Sequence, residues 1–152
     1  MLFVILLTAC GAAAATGAIF KPGVWYEGLK KPAFTPPKWV FPVAWTTIYI
    51  LLAWAGARLA TLPDAGLALA LWALQIALNT LWTPVFFGAR QLGAGMAVLA
   101  LLWVTVAALV VVAFGRDSVA GWMLLPYLLW LCIAAALNWR VWRDNPQARQ
   151  PG

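Results

Sequence analysis

Hydrophobic residues fill five long stretches of this sequence, and charged residues occur only outside them. The uncharged stretches run from Leu2 to Phe20, Trp39 to Ala57, Ala65 to Ala89, Gln91 to Gly115 and Ser118 to Trp139. Each is close to or above the roughly 20 residues that an α-helix, rising about 1.5 Å per residue, needs to cross about 30 Å of hydrocarbon. No stretch alternates apolar and polar residues over about ten positions, as the strands of a membrane barrel do. The pattern therefore predicts five transmembrane helices.

We place these helices at about 2–20, 39–61, 66–87, 91–114 and 118–141 and treat residues 1–152 as a single all-α transmembrane domain. Short links join the last four helices. The first loop, from Lys21 to Lys38, is too long for a simple hinge, and we expect it to be partly helical. The run from Leu7 to Cys10 is similar to a lipoprotein cleavage box, but no positively charged segment precedes it. We therefore expect the first span to be retained as a helix.

The composition agrees with a membrane protein, since 65% of the residues are hydrophobic and only 9% are charged. The net charge of +6 does not indicate nucleic-acid binding, because the basic residues lie at the borders of the spans. Five spans place eight of the ten basic residues on one side and leave Arg58 and Arg116 on the other. The eight are Lys21, Lys30, Lys31, Lys38, Arg90, Arg140, Arg143 and Arg149. The positive-inside rule then predicts a cytoplasmic first loop and C-terminus, in a membrane that the sequence does not identify.

The residue types needed for common catalytic centres are missing. The chain has no histidine, and no pair of acidic residues falls within a span, which argues against a metal site, an axial haem ligand or a hydrolytic acid–base pair. We therefore do not expect an enzyme that uses its own catalytic groups. Cys10 and Cys132 both lie in apolar spans, and we expect both to be small buried hydrophobic residues rather than a disulfide.

Aromatic and amide side chains share one face on each of three spans. In the third span they recur every three or four residues, which places them on one side of a helix. The three sets are Trp72, Gln75, Asn79, Trp82 and Phe86; then Phe41, Trp45 and Tyr49; then Tyr127, Trp130, Ala134 and Asn138. Converging faces of this kind predict a pocket for a large planar or fused-ring ligand.

Two other interpretations of the tryptophans stay open. Ordinary interhelix packing explains the mid-span residues Trp45, Trp82 and Trp130 about as well as ligand contact does. The residues near span ends fit the aromatic belt that membrane proteins place at the lipid–water interface. These are Trp25, Trp39, Trp122, Trp139 and Trp142.

The opposite face of the third span carries small residues at the same spacing. These residues are Gly66, Ala70, Ala73, Ala77 and Thr80. Small residues let two helix backbones approach closely in a membrane. This face predicts a homodimer, or alternatively packing against a neighbouring helix of the same chain.

The first loop combines cationic, aromatic and proline residues. Together with Trp39 we call it the lid, because such a segment can lie over the mouth of a membrane pocket and present cations to a carboxylate-bearing ligand. Its candidate residues are Trp25, Tyr26, Lys31, Pro32, Lys38 and Trp39. The same residues are also compatible with a loop whose positive charges only set the orientation of the protein in the membrane.

Several of these residues form a specific run along nearly the whole chain. It includes Trp25 and Tyr26, Lys31 and Pro32, the segment 36–40, Trp45, Asn79, Trp82, Pro84, the segment 86–90, Pro126, Tyr127, Trp130, Leu137, Asn138 and the segment 142–145. This run resembles the TspO/MBR family of tryptophan-rich sensory and translocator proteins.

The resemblance implies a five-helix bundle, usually a homodimer, whose pocket opens towards the first loop. Family members bind porphyrins such as protoporphyrin IX and synthetic isoquinoline carboxamide or benzodiazepine ligands. Carried onto matching positions, the pocket would involve Ala18, Phe41, Trp45, Asn79, Trp82, Trp130, Ala134, Leu137 and Asn138, and we add Tyr49, Phe87 and Tyr127. The porphyrin would be a ligand, not an obligatory cofactor.

The resemblance leads to a membrane receptor, carrier or regulator as the first expectation, with membrane lipid and a hydrophobic small molecule as its partners. One alternative is light-dependent porphyrin breakdown, in which Trp45 and Trp130 would react with species made by the excited ligand. Another is sterol or lipid transport. The sterol motif of animal members would fall on Leu137, Trp139 and Arg143, but Trp139 replaces its central tyrosine, and such motifs are weak. Ala33 and Phe34 also stand where close bacterial relatives tend to carry tryptophan.

Overall fold

The computed structural model describes residues 1–149, without the side chain of Arg149. Its helices are α1 (Leu2–Ile19), α2 (Val24–Glu27), α3 (Val40–Leu59), α4 (Gly66–Thr83), α5 (Leu92–Phe114) and α6 (Ser118–Asp144). A π-helical turn, Pro84–Gly88, continues α4, and a short 3-10 turn, Pro146–Arg149, follows α6. Five of the helices are long and apolar enough to cross a membrane. The all-α fold with five spans is therefore confirmed, and the short helix α2 accounts for the helical part of the first loop.

The last helix extends furthest beyond its expected end, to Asp144 rather than 141. The apolar pattern stops at Trp139, but the helix continues through a polar turn. Arg140 pairs there with Asp144 at 3.0 Å, one helical turn apart, an arrangement that favours helix. Hydrophobicity therefore marks the end of the apolar span, whereas local charge pairing extends the helix past it.

The five long helices form a closed ring around the core. Going round the bundle, the order is α1, α3, α6, α5 and α4, and α4 packs against α1 again. Side chains of α4 and α6 therefore meet across the middle of the ring. The predicted aromatic faces of α3, α4 and α6 all turn towards this interior.

Much of the outer surface is apolar, as expected for a surface in contact with lipid. Val104 and Leu129, for example, are 60% and 63% exposed. Cys10 is fully buried, as expected. The expectation for Cys132 is wrong, because this residue is exposed on α6. An apolar residue in a membrane span is stable facing either lipid or protein, so its hydrophobicity does not indicate burial.

The basic segments meet at one end of the bundle, where Asn145 contacts Lys30 and the Arg90 guanidinium lies over the Trp25 ring. At the other end, Arg58 pairs with Asp117 at 2.8 Å. Asp117 also caps α6 by accepting from two backbone N–H groups. The hydrogen bond from Arg58 lowers the pKa of the Asp117 carboxyl below its ordinary value. The helices thus alternate direction as the charge pattern required, while their orientation in a membrane stays a prediction.

Candidate ligand-binding site

A chain of four polar side chains crosses the interior of the bundle. The Tyr49 hydroxyl donates to Asn79 Oδ1 at 2.8 Å, and Asn79 Nδ2 donates to the Tyr127 hydroxyl at 2.9 Å. The Tyr127 hydroxyl in turn donates to Gln75 Oε1 at 3.0 Å. Lipid offers no alternative partners to these groups. The four hydrogen-bonded side chains therefore fix how α3, α4 and α6 face one another.

Gln75 ends this chain. Its side chain is fully buried, and within residues 1–149 its Nε2 has no hydrogen-bond acceptor. The spacing correctly predicts that Gln75 faces the interior of the bundle, but Gln75 is not among the predicted ligand-binding residues. Its spacing from Asn79, one helical turn away, was the available signal.

A layer of aromatic rings lies against the polar chain. Trp45 stacks on Tyr49 with ring centroids 5.5 Å apart and meets Tyr127 edge-on at 6.0 Å. Trp130 meets both Trp45 and Phe41 edge-on, at 6.5 and 5.6 Å. These separations are typical of favourable aromatic pairs. The rings predicted from α3 and α6 therefore do converge, and Ala134 packs against the same core.

A second group of rings lies closer to the lid. Trp82 stacks on Phe86 at 5.0 Å and meets Phe87 edge-on at 5.8 Å. The Trp82 indole N–H also donates to Asn138 Oδ1 at 3.4 Å, a long hydrogen bond. Asn138 is buried and donates from Nδ2 to the Leu92 carbonyl at 3.1 Å. These contacts join α4 to α5 and α6 through Trp82 and Asn138, which are both predicted ligand-binding residues.

Gly95 of α5 makes room for the Phe86 ring. A Cβ added at Gly95 would lie 2.9 Å from Phe86 Cδ2 and 3.5 Å from Asn138 Oδ1. The first distance is too short for carbon atoms in contact. Because glycine has no side chain, Gly95 lets the Phe86 ring pack closely against α5.

The lid covers this second ring group. Tyr26 meets Phe87 edge-on at 5.2 Å and Phe86 at 6.1 Å, and Trp25 meets Phe86 at 6.4 Å. Leu29 is buried in the same cluster. Trp25 is named above both as a lid residue and as a residue that fits the interfacial belt, and its contact with Phe86 agrees with the lid interpretation.

Two lysines of the lid, Lys31 and Lys38, have partners within the lid. Lys38 pairs with Glu27 inside the lid at 2.6 Å, and this hydrogen bond lowers the pKa of the Glu27 carboxyl. The Lys31 ammonium donates to the Glu27 carbonyl at 3.1 Å and lies 4.7 Å from the centre of the Tyr26 ring. Lys21 and Lys30 have exposed side chains at the same end of the bundle. Pro32 is buried, whereas Trp39 is 67% exposed, as an interfacial tryptophan would be.

Some predicted site residues lie outside these two ring groups. Ala18 is exposed near the end of α1. Leu137 is buried, whereas Trp139 and Arg143 are exposed. The three residues of the sterol-like motif therefore do not form one face.

The small residues of α4 lie on the outer surface. Gly66, Ala70, Ala73 and Ala77 are exposed, and Thr80 is partly exposed. The alternative in which another helix of this chain covers them is therefore wrong for the first four. An apolar groove of about 550 Å³ runs between α1 and α4. Its lining residues are Ala9, Ala12, Thr16, Ile76, Ala77, Thr80, Leu81 and Pro84.

A closed ring of five apolar helices with an aromatic and amide interior defines a multi-pass integral membrane protein with a candidate ligand site. A sequence profile of the TspO/MBR family matches residues 3–143. The chain belongs to this family, as its residues had indicated.

Relatives of known name share most of the chain. Protein CrtK of Rhodobacter capsulatus is 52% identical over 149 residues, which cover 95% of this chain and 93% of the relative. The tryptophan-rich sensory protein of Cereibacter sphaeroides is 48% identical, covering 97% and 96%. The human translocator protein is 39% identical, covering 80% and 75%. Family membership and these names support a role as a membrane receptor or regulator.

Proposed function

We propose that this protein is a membrane receptor or carrier that binds a porphyrin of the protoporphyrin IX type between its two ring groups. The observation that carries the proposal is that Trp45 of α3 and Trp82 of α4 both pack against the core cluster that contains Trp130 of α6. Flat apolar rings beside a few fixed amides are the surroundings that a macrocycle with polar edges requires. Drug-like isoquinoline carboxamide and benzodiazepine ligands have the same combination of fused rings and a few polar atoms.

The rings within each group contact one another, so a ligand that enters between the groups exchanges some of these contacts for its own. Each aromatic pair contributes about 0.5–1.5 kcal/mol beyond its buried area. Contacts of this size are readily exchanged for contacts between the same rings and a macrocycle. The exposed ammonium groups of Lys21 and Lys30 lie at the lid end, where the propionates of a bound porphyrin would meet them. We place this end on the cytoplasmic side, following the positive-inside rule.

Substitution of Trp45 or Trp130 by phenylalanine is expected to weaken protoporphyrin IX binding about three- to tenfold, because the smaller ring loses contact area with the macrocycle. The purified protein is titrated in the dark, and the dissociation constant is read from both porphyrin absorbance and tryptophan quenching. Absorbance is needed because removing a tryptophan changes the quenching amplitude by itself.

Trp122→Phe serves as the matched control, since Trp122 is 67% exposed on the outside of α6. Its dissociation constant is expected to equal that of the wild type. Unchanged binding in both site variants would place the porphyrin elsewhere. Absence of saturable binding to the wild type would overturn the proposed ligand itself.

We also propose a homodimer through the exposed small face of α4. Close approach of two backbones needs small side chains at regular spacing, and Ala70, Ala73 and Ala77 provide them on a face that this chain leaves uncovered. Cysteine at Ala77, in a Cys132→Ala background, is expected to cross-link two copies in native membranes. Cysteine at Val104, which is 60% exposed on α5, is the control. Equal cross-linking at both positions would indicate random collision and contradict this interface.

A further inference from the structure

The side chain of Asn145 pairs with both backbone polar groups of Lys30. The Lys30 N–H donates to Asn145 Oδ1 at 2.8 Å, and Asn145 Nδ2 donates to the Lys30 carbonyl at 3.0 Å. The same Nδ2 donates to the Val141 carbonyl at 2.8 Å, which fixes the amide on the last turn of α6. Asn145 is fully buried, so water does not compete for these bonds. A single amide thus holds the lid backbone much as a neighbouring β-strand would.

These bonds lie beside the place where the lid contacts the bundle. Leu29, the residue before Lys30, is buried in a cluster with Phe86, Leu92 and Val141. The ion pair between Lys38 and Glu27 is different, because both of its residues belong to the lid and both side chains are exposed. An exposed pair of this kind contributes little stability, and it does not tie the lid to the helices. The buried amide is therefore well placed to control how often the lid rises.

We propose that Asn145 is the latch of the lid, so that a ligand reaches or leaves the second ring group when its two bonds to Lys30 break. The route of the ligand rests on the proposed function, whereas the latch itself does not. The bonds join two parts of the protein and do not include the ligand. The latch therefore sets the rates of ligand entry and exit and has little effect on affinity.

The kinetic test uses Asn145→Ala and protoporphyrin IX in stopped-flow experiments. We expect the association and dissociation rate constants both to rise about tenfold, while the dissociation constant changes less than twofold. A tenfold change corresponds to about 1.4 kcal/mol, which is the net contribution of one or two hydrogen bonds. Gln147→Ala is the matched control, because it removes an exposed amide two residues from Asn145, and its rates should equal those of the wild type. Faster dissociation with unchanged association would make Asn145 a ligand contact and overturn the latch.

A second measurement needs no ligand. Hydrogen exchange of the ligand-free protein in detergent is followed for residues 21–39 and, as an internal control for folding, for α3. We expect Asn145→Ala to speed exchange at the Lys30 amide about tenfold and to leave α3 unchanged. If this variant also loses protection in α3, Asn145→Asp replaces it, since it keeps the acceptor for the Lys30 N–H and loses the donor.

The two measurements separate the latch from the proposed ligand. Unchanged exchange at Lys30 would overturn the latch whatever the porphyrin does. Faster exchange in the lid together with no porphyrin binding to any variant would support the latch and overturn only the proposed function.

Discussion

Replacing Gly56 by leucine is expected to lower the free energy of unfolding by about 3 kcal/mol or more. Three helices meet at this glycine. A Cβ at Gly56 would lie 2.7 Å from Trp72 Nε1 on α4 and 2.8 Å from Leu6 Cδ1 on α1. The Trp72 indole N–H donates to the Leu52 carbonyl of α3 at 3.0 Å in the same region. A branched side chain must therefore push two helices away from α3 and strain or break that buried hydrogen bond.

The measurement is unfolding of the purified protein by increasing mole fractions of sodium dodecyl sulfate, followed by tryptophan fluorescence and circular dichroism. Gly11→Leu is the matched control, because a Cβ at Gly11 meets nothing within 4 Å. We expect this control to be neutral or slightly stabilising, since a glycine inside a helix costs about 1 kcal/mol relative to a good helix former. A similar loss in both variants would show that the effect at Gly56 does not come from close helix packing.

The importance of Gly56 illustrates what the sequence could not predict. Insertion into lipid depends mainly on the composition of a segment, so the five spans were found from hydrophobicity alone. The direction in which each helix faces does not follow from hydrophobicity, because apolar residues are stable against both lipid and protein. Val104 and Val106 on α5 are 60% and 0% exposed, although they are the same residue type in the same span.

Polar and aromatic residues carried the information that hydrophobicity lacked. An amide such as Asn79 or Asn138 needs a partner inside a membrane protein, so its position indicates which side of the helix faces inward. This reasoning found the faces of α3, α4 and α6 that form the two ring groups. It could not find the latch, because Asn145 binds backbone groups 115 positions away. Every residue has such groups, so nothing in the sequence indicates that these two residues pair.

Removing one hydroxyl from the interior polar chain is expected to have very different effects at its middle and at its start. Tyr127→Phe leaves Asn79 Nδ2 and Gln75 Oε1 without their partner. Gln75, whose Nε2 already has no acceptor in the described residues, then has no hydrogen bond from either side-chain atom. We expect a loss of about 2–3 kcal/mol in the free energy of unfolding, because each buried polar group left without a partner costs about 1–3 kcal/mol.

Tyr49→Phe is the matched variant, since it also removes one oxygen and keeps the ring. It breaks only the bond to Asn79 Oδ1, and Asn79 keeps its bond to Tyr127. We expect a loss of about 1 kcal/mol, in the range measured for single hydrogen bonds between membrane helices. Both phenylalanine rings can still contact Trp45, so aromatic packing is the same in the two variants. The same detergent titration measures both.

Equal losses would mean that Asn79 and Gln75 find new partners once Tyr127 is changed, and that the four side chains do not act as one hydrogen-bonded unit. A loss at least twice as large for Tyr127→Phe would show that the register of α3, α4 and α6 depends on the middle of the chain.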